Sequence, residues 1–184
     1  MNKTDLINDL KAKLKILELE NEFLSQKAEE NQLLSRTFEE INILEGNQIQ
    51  YQNILESISI LLDIEYSGVF TVKNNRLINV TGYSLTEEDD PKNLDLRISD
   101  EMISKIKYGE TILMKKTEQE IHFNYIQNKK ESYTLLFVPF KSPDSYNFYL
   151  FASNDDGNIL EIKELLLERI AEITEAKINK VAIE

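Results

Sequence analysis

The chain has 184 residues, 21 basic against 33 acidic, for a net charge of −12. That length fits one domain of about 100–150 residues plus an extension. The acidic excess holds in both parts, six basic against ten acidic through Glu45 and fifteen against twenty-three beyond it, with Lys115-Lys116 and Lys129-Lys130 the only basic doublets; this argues against a nucleic acid or an anionic membrane surface as partner.

There is no cysteine, which excludes disulfides, thiolate metal sites, thiol catalysis and cofactors attached through sulfur. The opening MNKTDLINDLKAKLK has no apolar stretch of signal-peptide length, and no apolar run, LLFV at 135–138 included, approaches the about 20 residues of a membrane span. The expectation is a soluble cytoplasmic protein.

The first segment carries a heptad seam. Ile7, Leu14, Asn21 and Ala28 take its a positions, and Leu10, Leu17, Leu24 and Asn31 its d positions. An apolar stripe only two positions wide per heptad has to be buried against another helix, so these eight residues predict a parallel homodimer. Asn21 in an a layer can pair with its symmetry mate, giving up some stability to fix register and oligomer state. Lys13 (g) and Glu18 (e) would attract each other between the two chains. After Asn31 the apolar residues are Leu34, Phe38, Ile41 and Leu44, a slip of one position that should alter the supercoil locally. Residues 1–46 are expected to form this dimerisation helix and residues 47–184 the globular domain, with Gly46 weakening the helix without necessarily ending it.

Helical spacing resumes with Ile54, Leu55, Ile58, Leu61 and Leu62. The period then becomes that of strands: YSGVFTV from Tyr66, a turn at Asn74-Asn75, and RLINV. A polar stretch, TGYSLTEEDDPKNLD, follows. Ser99 is placed to cap a helix burying Met102, Ile103 and Ile106 and ending at Gly109. TILMKK, EIHFNYI, YTLLFVPFK and YNFYLFAS read as strands, with SPDS at 142–145 a turn. The last segment is helical, opened by a capping-box pair, Asn158 and Glu161, with Ile159, Ile162, Leu166, Ile170 and Ile173 on the apolar face. The fold class is α+β: a coiled-coil helix followed by an antiparallel sheet flanked by helices.

The pieces ILESISILLDIEYSGVFTV, KIKYGETILMKK, TLLFVPFK with Pro139, and FYLFAS followed by ILEIKELLLERIAEITEAKI, spanning about 47–180, resemble the GAF family of small-molecule sensor domains. The resemblance implies a six-stranded antiparallel sheet with the first and last helices on one face and a ligand pocket roofed by loops and short helices on the other. It also implies parallel dimerisation continuing into coiled coils. The cysteines used by bilin-attaching and methionine sulfoxide-reducing members are missing, and the cyclic-nucleotide signature has no counterpart.

His122 is the only histidine, so neither a catalytic triad nor a multi-histidine metal site fits one chain. It stands as a pocket hydrogen-bonding residue or an ordinary surface histidine. Glu87, Glu88, Asp89 and Asp90 lack the spacing and turn glycine of a calcium loop, and Asp155-Asp156-Gly157 reads as the turn before the last helix. Most aromatics, including Phe70, Phe123, Tyr133, Phe137 and Phe148, read as core by strand alternation. Tyr83 and Tyr125 lie where the resemblance places the pocket roof, so Phe70, Tyr83, His122 and Tyr125 are the candidate ligand contacts. No metal or cofactor is expected.

Two functions remain open. One is a non-enzymatic dimeric regulator that senses a small molecule or engages a protein and relays the response through the coiled coil to a signalling partner. The other is an adaptor whose domain is filled by its own side chains. An enzyme is disfavoured because no nucleophile and base are placed together.

Overall fold

The computed structural model describes residues 3–42, 51–74, 76–85, 94–115, 121–127, 133–154 and 158–181. The chain divides into two compact units, Met1–Ser35 and Arg36–Glu184. Helix α1 spans Lys3–Asn42 without interruption, through the slip after Asn31. Within the first unit Lys27 bridges to Glu30 at 2.7 Å and lies 5.9 Å from the Phe23 ring. The seam residues Ile7, Leu10, Leu14, Leu17, Asn21, Leu24, Ala28 and Asn31 are all exposed in the single chain. The expected boundary at Gly46 lies outside the described residues, as do the acidic run at 87–90 and the turn at 155–157.

In the second unit α2 (Tyr51–Leu62) buries Ile54, Leu55, Ile58, Ser59 and Leu62, positions recurring at helical spacing. Asp63 adopts φ 54°, and the Ile64 N–H donates to the Ser59 carbonyl at 3.0 Å, closing the helix end. The strands are β1 (Tyr66–Lys73), β2 (Arg76–Ser84), β3 (Leu96–Arg97), β4 (Ile112–Lys115), β5 (His122–Phe123), β6 (Thr134–Ser142) and β7 (Ser145–Ser153). The helices that complete the unit are α3 (Asp100–Tyr108), α4 (Asn124–Gln127) and α5 (Asn158–Val181).

The main sheet is antiparallel with order β2-β1-β7-β6-β4. Among the described residues it has five strands, one fewer than the resemblance implies, and β3 pairs with β5 separately. The difference lies in EIHFNYI, of which only His122 and Phe123 are strand. The Asn124 N–H donates to the Asp95 carbonyl and its Oδ1 accepts from the Asp95 N–H, at 3.2 and 2.9 Å, so β5 is held beside the segment leading into β3. Tyr125 and Ile126, adjacent in sequence, are both buried. Strand alternation would turn one of them outward, whereas a helical turn buries both. Thr81 to Ser84, read as the start of a polar stretch, instead complete β2 because they pair with Tyr66 to Val69.

The two faces of the sheet are separated by alternation. Ser67, Val138, Tyr149 and Phe151 face α2 and α5, while Tyr66, Phe70, Leu135, Phe137, Phe148 and Leu150 face α3 and α4. On the helix side Thr174 Oγ1 donates to the Ile170 carbonyl at 2.8 Å, so the Tyr149 hydroxyl donates to Thr174 at 2.9 Å. Ser67 Oγ likewise donates to the Leu55 carbonyl at 3.1 Å and accepts from Ser59 at 2.8 Å. The buried row of α5 contains Leu160, Leu167, Ile170, Ala171 and Thr174. Ile162, expected on that face, is 71% exposed, because two residues from Leu160 is more than half a turn away.

Candidate functional site

The face away from α2 and α5 is built on aromatic residues. Tyr66, Phe70, Phe123, Tyr125, Tyr133, Phe137 and Phe148 form one buried cluster, with Leu96, Met102, Ile103, Ile106 and Ile126 among the aliphatic residues around it. Phe70 stacks on Phe148 at 5.5 Å, and Phe137 meets Phe148 at 5.7 Å. From the roof, Phe123 and Tyr125 approach the Tyr66 ring at 5.3 and 4.9 Å.

Local sequence explains why these groups converge. Tyr66, Gly68 and Phe70 are spaced by two along β1 and so share a face. Gly68 is in register with Gly82 on β2, leaving a floor without side chains in the cluster. Over that floor lies the Tyr66 ring: a Cβ at position 68 would stand 2.3 Å from the Tyr66 hydroxyl oxygen. This close approach is what requires glycine there.

α3 closes one side. Ser99 caps it, its hydroxyl accepting from the Met102 N–H at 3.3 Å. Gly109 ends it in the left-handed region at φ 82°, with the Gly109 N–H donating to the Ile106 carbonyl and the Glu110 N–H to that of Lys105. The caps thereby aim Met102, Ile103 and Ile106 into the cluster.

One corner is polar. The Tyr133 hydroxyl donates to a Glu65 carboxylate oxygen at 2.6 Å, and the Tyr125 hydroxyl meets Ser84 Oγ at 3.2 Å and the Glu65 carbonyl at 3.5 Å. Beside the roof, Arg76, Leu77, Asp95, Leu96, Arg97, Ile98 and Ile103 line a surface cleft. Leu96 and Ile103 belong to the cluster and Leu77 and Ile98 pack against it, so the cleft floor is the edge of the aromatic core. At its rim Arg97 bridges to Asp95 at 2.7 Å.

Of the residues singled out from sequence, Phe70 and Tyr125 meet in this cluster. His122 is exposed, its Nε2 3.8 Å from the Asp95 carboxylate at the cleft rim. Tyr83 stands in register with Ser67, on the α2 side. The cause is a bulge: Val69 pairs with Thr81 but Phe70 with Asn79, so Val80 is the extra residue and the sides of β2 exchange there. Tyr66, at the centre, was not singled out. Its signal was an aromatic residue two positions before a strand glycine, on the same face.

On the opposite side a groove between α5 and the β6 edge is lined by Glu168, Glu172 and Glu175. Two of these carboxylates have structural partners, Thr111 for Glu168 and the Lys141 N–H for Glu175. Among the described residues no group of three or more acidic or histidine side chains is placed to hold a metal ion, and no helix is long and apolar enough to cross a membrane.

No protein-family model matches the sequence, and no curated protein matches it. Solved structures do. A free methionine-R-sulfoxide reductase from Neisseria meningitidis, in complex with its substrate, superposes with a TM-score of 0.61 at 12% identity, covering 81% of this chain and 87% of its own. The A. aeolicus nlh2 GAF domain in an inactive state gives 0.59 at 14% identity, covering 86% and 99%. The GAF domain of an Acinetobacter phosphoenolpyruvate-protein phosphotransferase gives 0.57 at 11%, covering 83% and 93%.

The chain has a GAF-like fold. Within it the aromatic cluster is the layer between the sheet and the short roof elements, where the sequence resemblance placed a pocket. In the GAF-like domain of this chain, that layer is occupied by its own side chains, and their hydroxyls supply what polarity it has.

Proposed function

We propose that this chain is a non-enzymatic, cytoplasmic regulatory protein that works as a parallel homodimer. The copies pair through α1. The GAF-like domain responds to a small molecule held under the β5–α4 roof, or to a docked protein, and the response passes along the paired helices to a signalling partner. The observation that carries this reading is the seam on α1, whose apolar members from Ile7 at 43% to Leu24 at 63% are exposed in the single chain. A stripe of heptad spacing left in water is unstable alone and is buried by a second copy in register. Residues 1–46 are the pairing element in this reading and residues 47–184 the responding domain.

Small-molecule sensing is supported by the similar reductase that holds its substrate, and switching by the similar domain described in an inactive state. Phe70, Tyr125 and Tyr66 are the proposed contacts, with His122 at the mouth. Catalysis of the reductase kind is disfavoured because this chain has no thiol. A second reading, an adaptor whose domain takes no ligand, is favoured by the close ring-on-ring packing of the cluster.

Native mass spectrometry of gently purified protein tests both. A dimer with a stoichiometric adduct supports the sensor, a bare dimer moves the weight to the adaptor, and a monomer overturns the pairing on which both rest.

A further inference from the structure

Tyr66 is the odd member of the aromatic cluster. The other two phenols there have partners, Tyr125 in Ser84 and the Glu65 carbonyl, Tyr133 in the Glu65 carboxylate. The Tyr66 side chain has no exposed surface, and among the described residues its hydroxyl has no hydrogen-bond partner. Buried phenols ordinarily find a partner, and one without it forfeits free energy that a suitable acceptor would return. This hydroxyl lies over Gly68, against a floor left bare of side chains by the Gly68–Gly82 pair.

On the reading of this layer as a ligand site, we propose that its occupant is a small neutral aromatic molecule carrying a hydrogen-bond acceptor, an aromatic ketone or a heteroaromatic ring, which accepts from the Tyr66 hydroxyl over the glycine floor.

Three features select that class. The ligand is neutral because among the described residues no acidic or basic side chain is buried, Glu65 at the polar corner being half-buried and taken by Tyr133, and an uncompensated charge in the layer would be costly. It is planar because seven rings line the layer, and ring faces and edges are the contacts on offer. It carries an acceptor because the unmatched group is a donor: burial, helped by the neighbouring Tyr125 phenol, pushes the titration of Tyr66 far above its ordinary value and keeps its proton in place.

Room comes from the roof. Phe123 and Tyr125, the two rings on Tyr66, belong to β5 and α4. That segment is tied down by the two-residue pairing of β3 with β5 and the Asn124–Asp95 bonds, with the Tyr125 hydroxyl reaching Ser84. A ring entering from the cleft beside β3 replaces ring contacts with ring contacts and adds the missing hydrogen bond.

The test uses the full chain, wild type and Tyr66→Phe, with three probes of nearly equal shape: acetophenone, isopropylbenzene and benzoate. Dissociation constants come from ligand-observed NMR at pH 7, and the stability of the free proteins from urea denaturation. The expected result is acetophenone binding about five- to tenfold more tightly than isopropylbenzene, the worth of one net hydrogen bond, with benzoate weakest. Tyr66→Phe should reverse the preference, isopropylbenzene binding more tightly because the acetophenone carbonyl is then buried without a donor, and its urea midpoint should be unchanged or higher, since it removes an unmatched group. Equal binding of the two neutral probes by wild type, or a preference for benzoate, overturns the ligand class while leaving the layer a ligand site. Binding of none of the three also overturns the class, and the sensing reading falls with it when the native protein carries no adduct. A urea midpoint lowered in Tyr66→Phe would mean the hydroxyl is already satisfied in the free chain, and the proposal fails.

Discussion

The two glycines that the site depends on are required for different reasons, and substitution separates them. At Gly68 the obstacle is space: a methyl group would lie 2.3 Å from the Tyr66 hydroxyl and 2.9 Å from Cζ of the same rigid ring. Gly68→Ala should therefore lower stability by about 1–3 kcal/mol, as overpacking does. Most of that loss should vanish in a Tyr66→Leu background, a coupling read from a double-mutant cycle in urea. At Gly109 nothing stands within 4 Å of the missing Cβ, and the constraint is φ 82°. Gly109→Ala should cost about 1 kcal/mol in any background. The buried phenols add a pH dependence. Burial pushes Tyr51 from 10.0 up to about 12, and it pushes Tyr66 and Tyr149 higher still. Phenols of the unfolded chain titrate near 10, so as pH rises past that value the unfolded state loses protons that the native state keeps. Their contribution is complete below about pH 10 and falls away as the pH climbs toward the folded values. The urea midpoint should be flat from pH 7 to 9 and drop steeply above 10, and Tyr149→Phe should soften the drop while costing about 1 kcal/mol at pH 7 through the lost bond to Thr174. A midpoint still flat at pH 11 would contradict this. Aromatic burial on alternating strand positions was legible in the sequence, since Phe70, Phe123, Tyr133, Phe137 and Phe148 are all in the core. That the Tyr66 hydroxyl has no partner among the described residues was not, because it depends on which neighbours fail to reach it.

Elements whose ends are written in local chemistry were legible, and those decided by tertiary packing were not. Ser99 and Gly109 frame α3, and the 142–145 turn joins β6 to β7 with Ser142 in register with Ser145. Each of these follows from what a single residue does to its own backbone. The β5–α4 roof segment and the far half of β2 follow instead from distant partners: Asp95 bends the chain at Asn124, and Tyr66 to Val69 draw Thr81 to Ser84 into the sheet. The bulge at Val80 has no local signature, and it is why Tyr83 faces α2 and not the aromatic layer. The element-scale prediction concerns α3, which presents three buried residues to the cluster from a helix of nine. Ser99→Ala removes the acceptor for the Met102 N–H and should cost about 1 kcal/mol. Ser99→Asp keeps an acceptor and adds a charge that favours a helix N-terminus, so it should hold wild-type stability or better. Equal losses for both in urea denaturation would show that the cap does not set the stability of this helix.

For the whole molecule the decisive question is what the α1 seam is for, and the polar residues within it sharpen the test. Asn21 and Asn31 interrupt an otherwise mostly apolar row, and each is exposed in the single chain. In a parallel pair, an Asn layer holds register and excludes higher oligomers at some loss of stability. After the second of them the apolar spacing slips by one position, while α1 remains helical through Asn42. On the proposed reading this slip is the bistable element of the paired rod, since a ligand-driven response needs two states of similar free energy. Replacing both residues by leucine should raise the thermal stability of the rod in circular dichroism, let species larger than a dimer appear in light scattering, and blunt any difference between ligand-free and ligand-bound protein. Leu17→Glu with Leu24→Glu makes the opposite demand, placing like charges face to face in two layers. That variant should scatter as a monomer and lose helical signal in the far ultraviolet, while the tyrosine signal of the GAF-like domain in the near ultraviolet is retained. Dimers persisting in the glutamate variant would locate the pairing surface elsewhere. Unchanged melting and unchanged ligand response in the leucine variant would remove Asn21 and Asn31 from the relay.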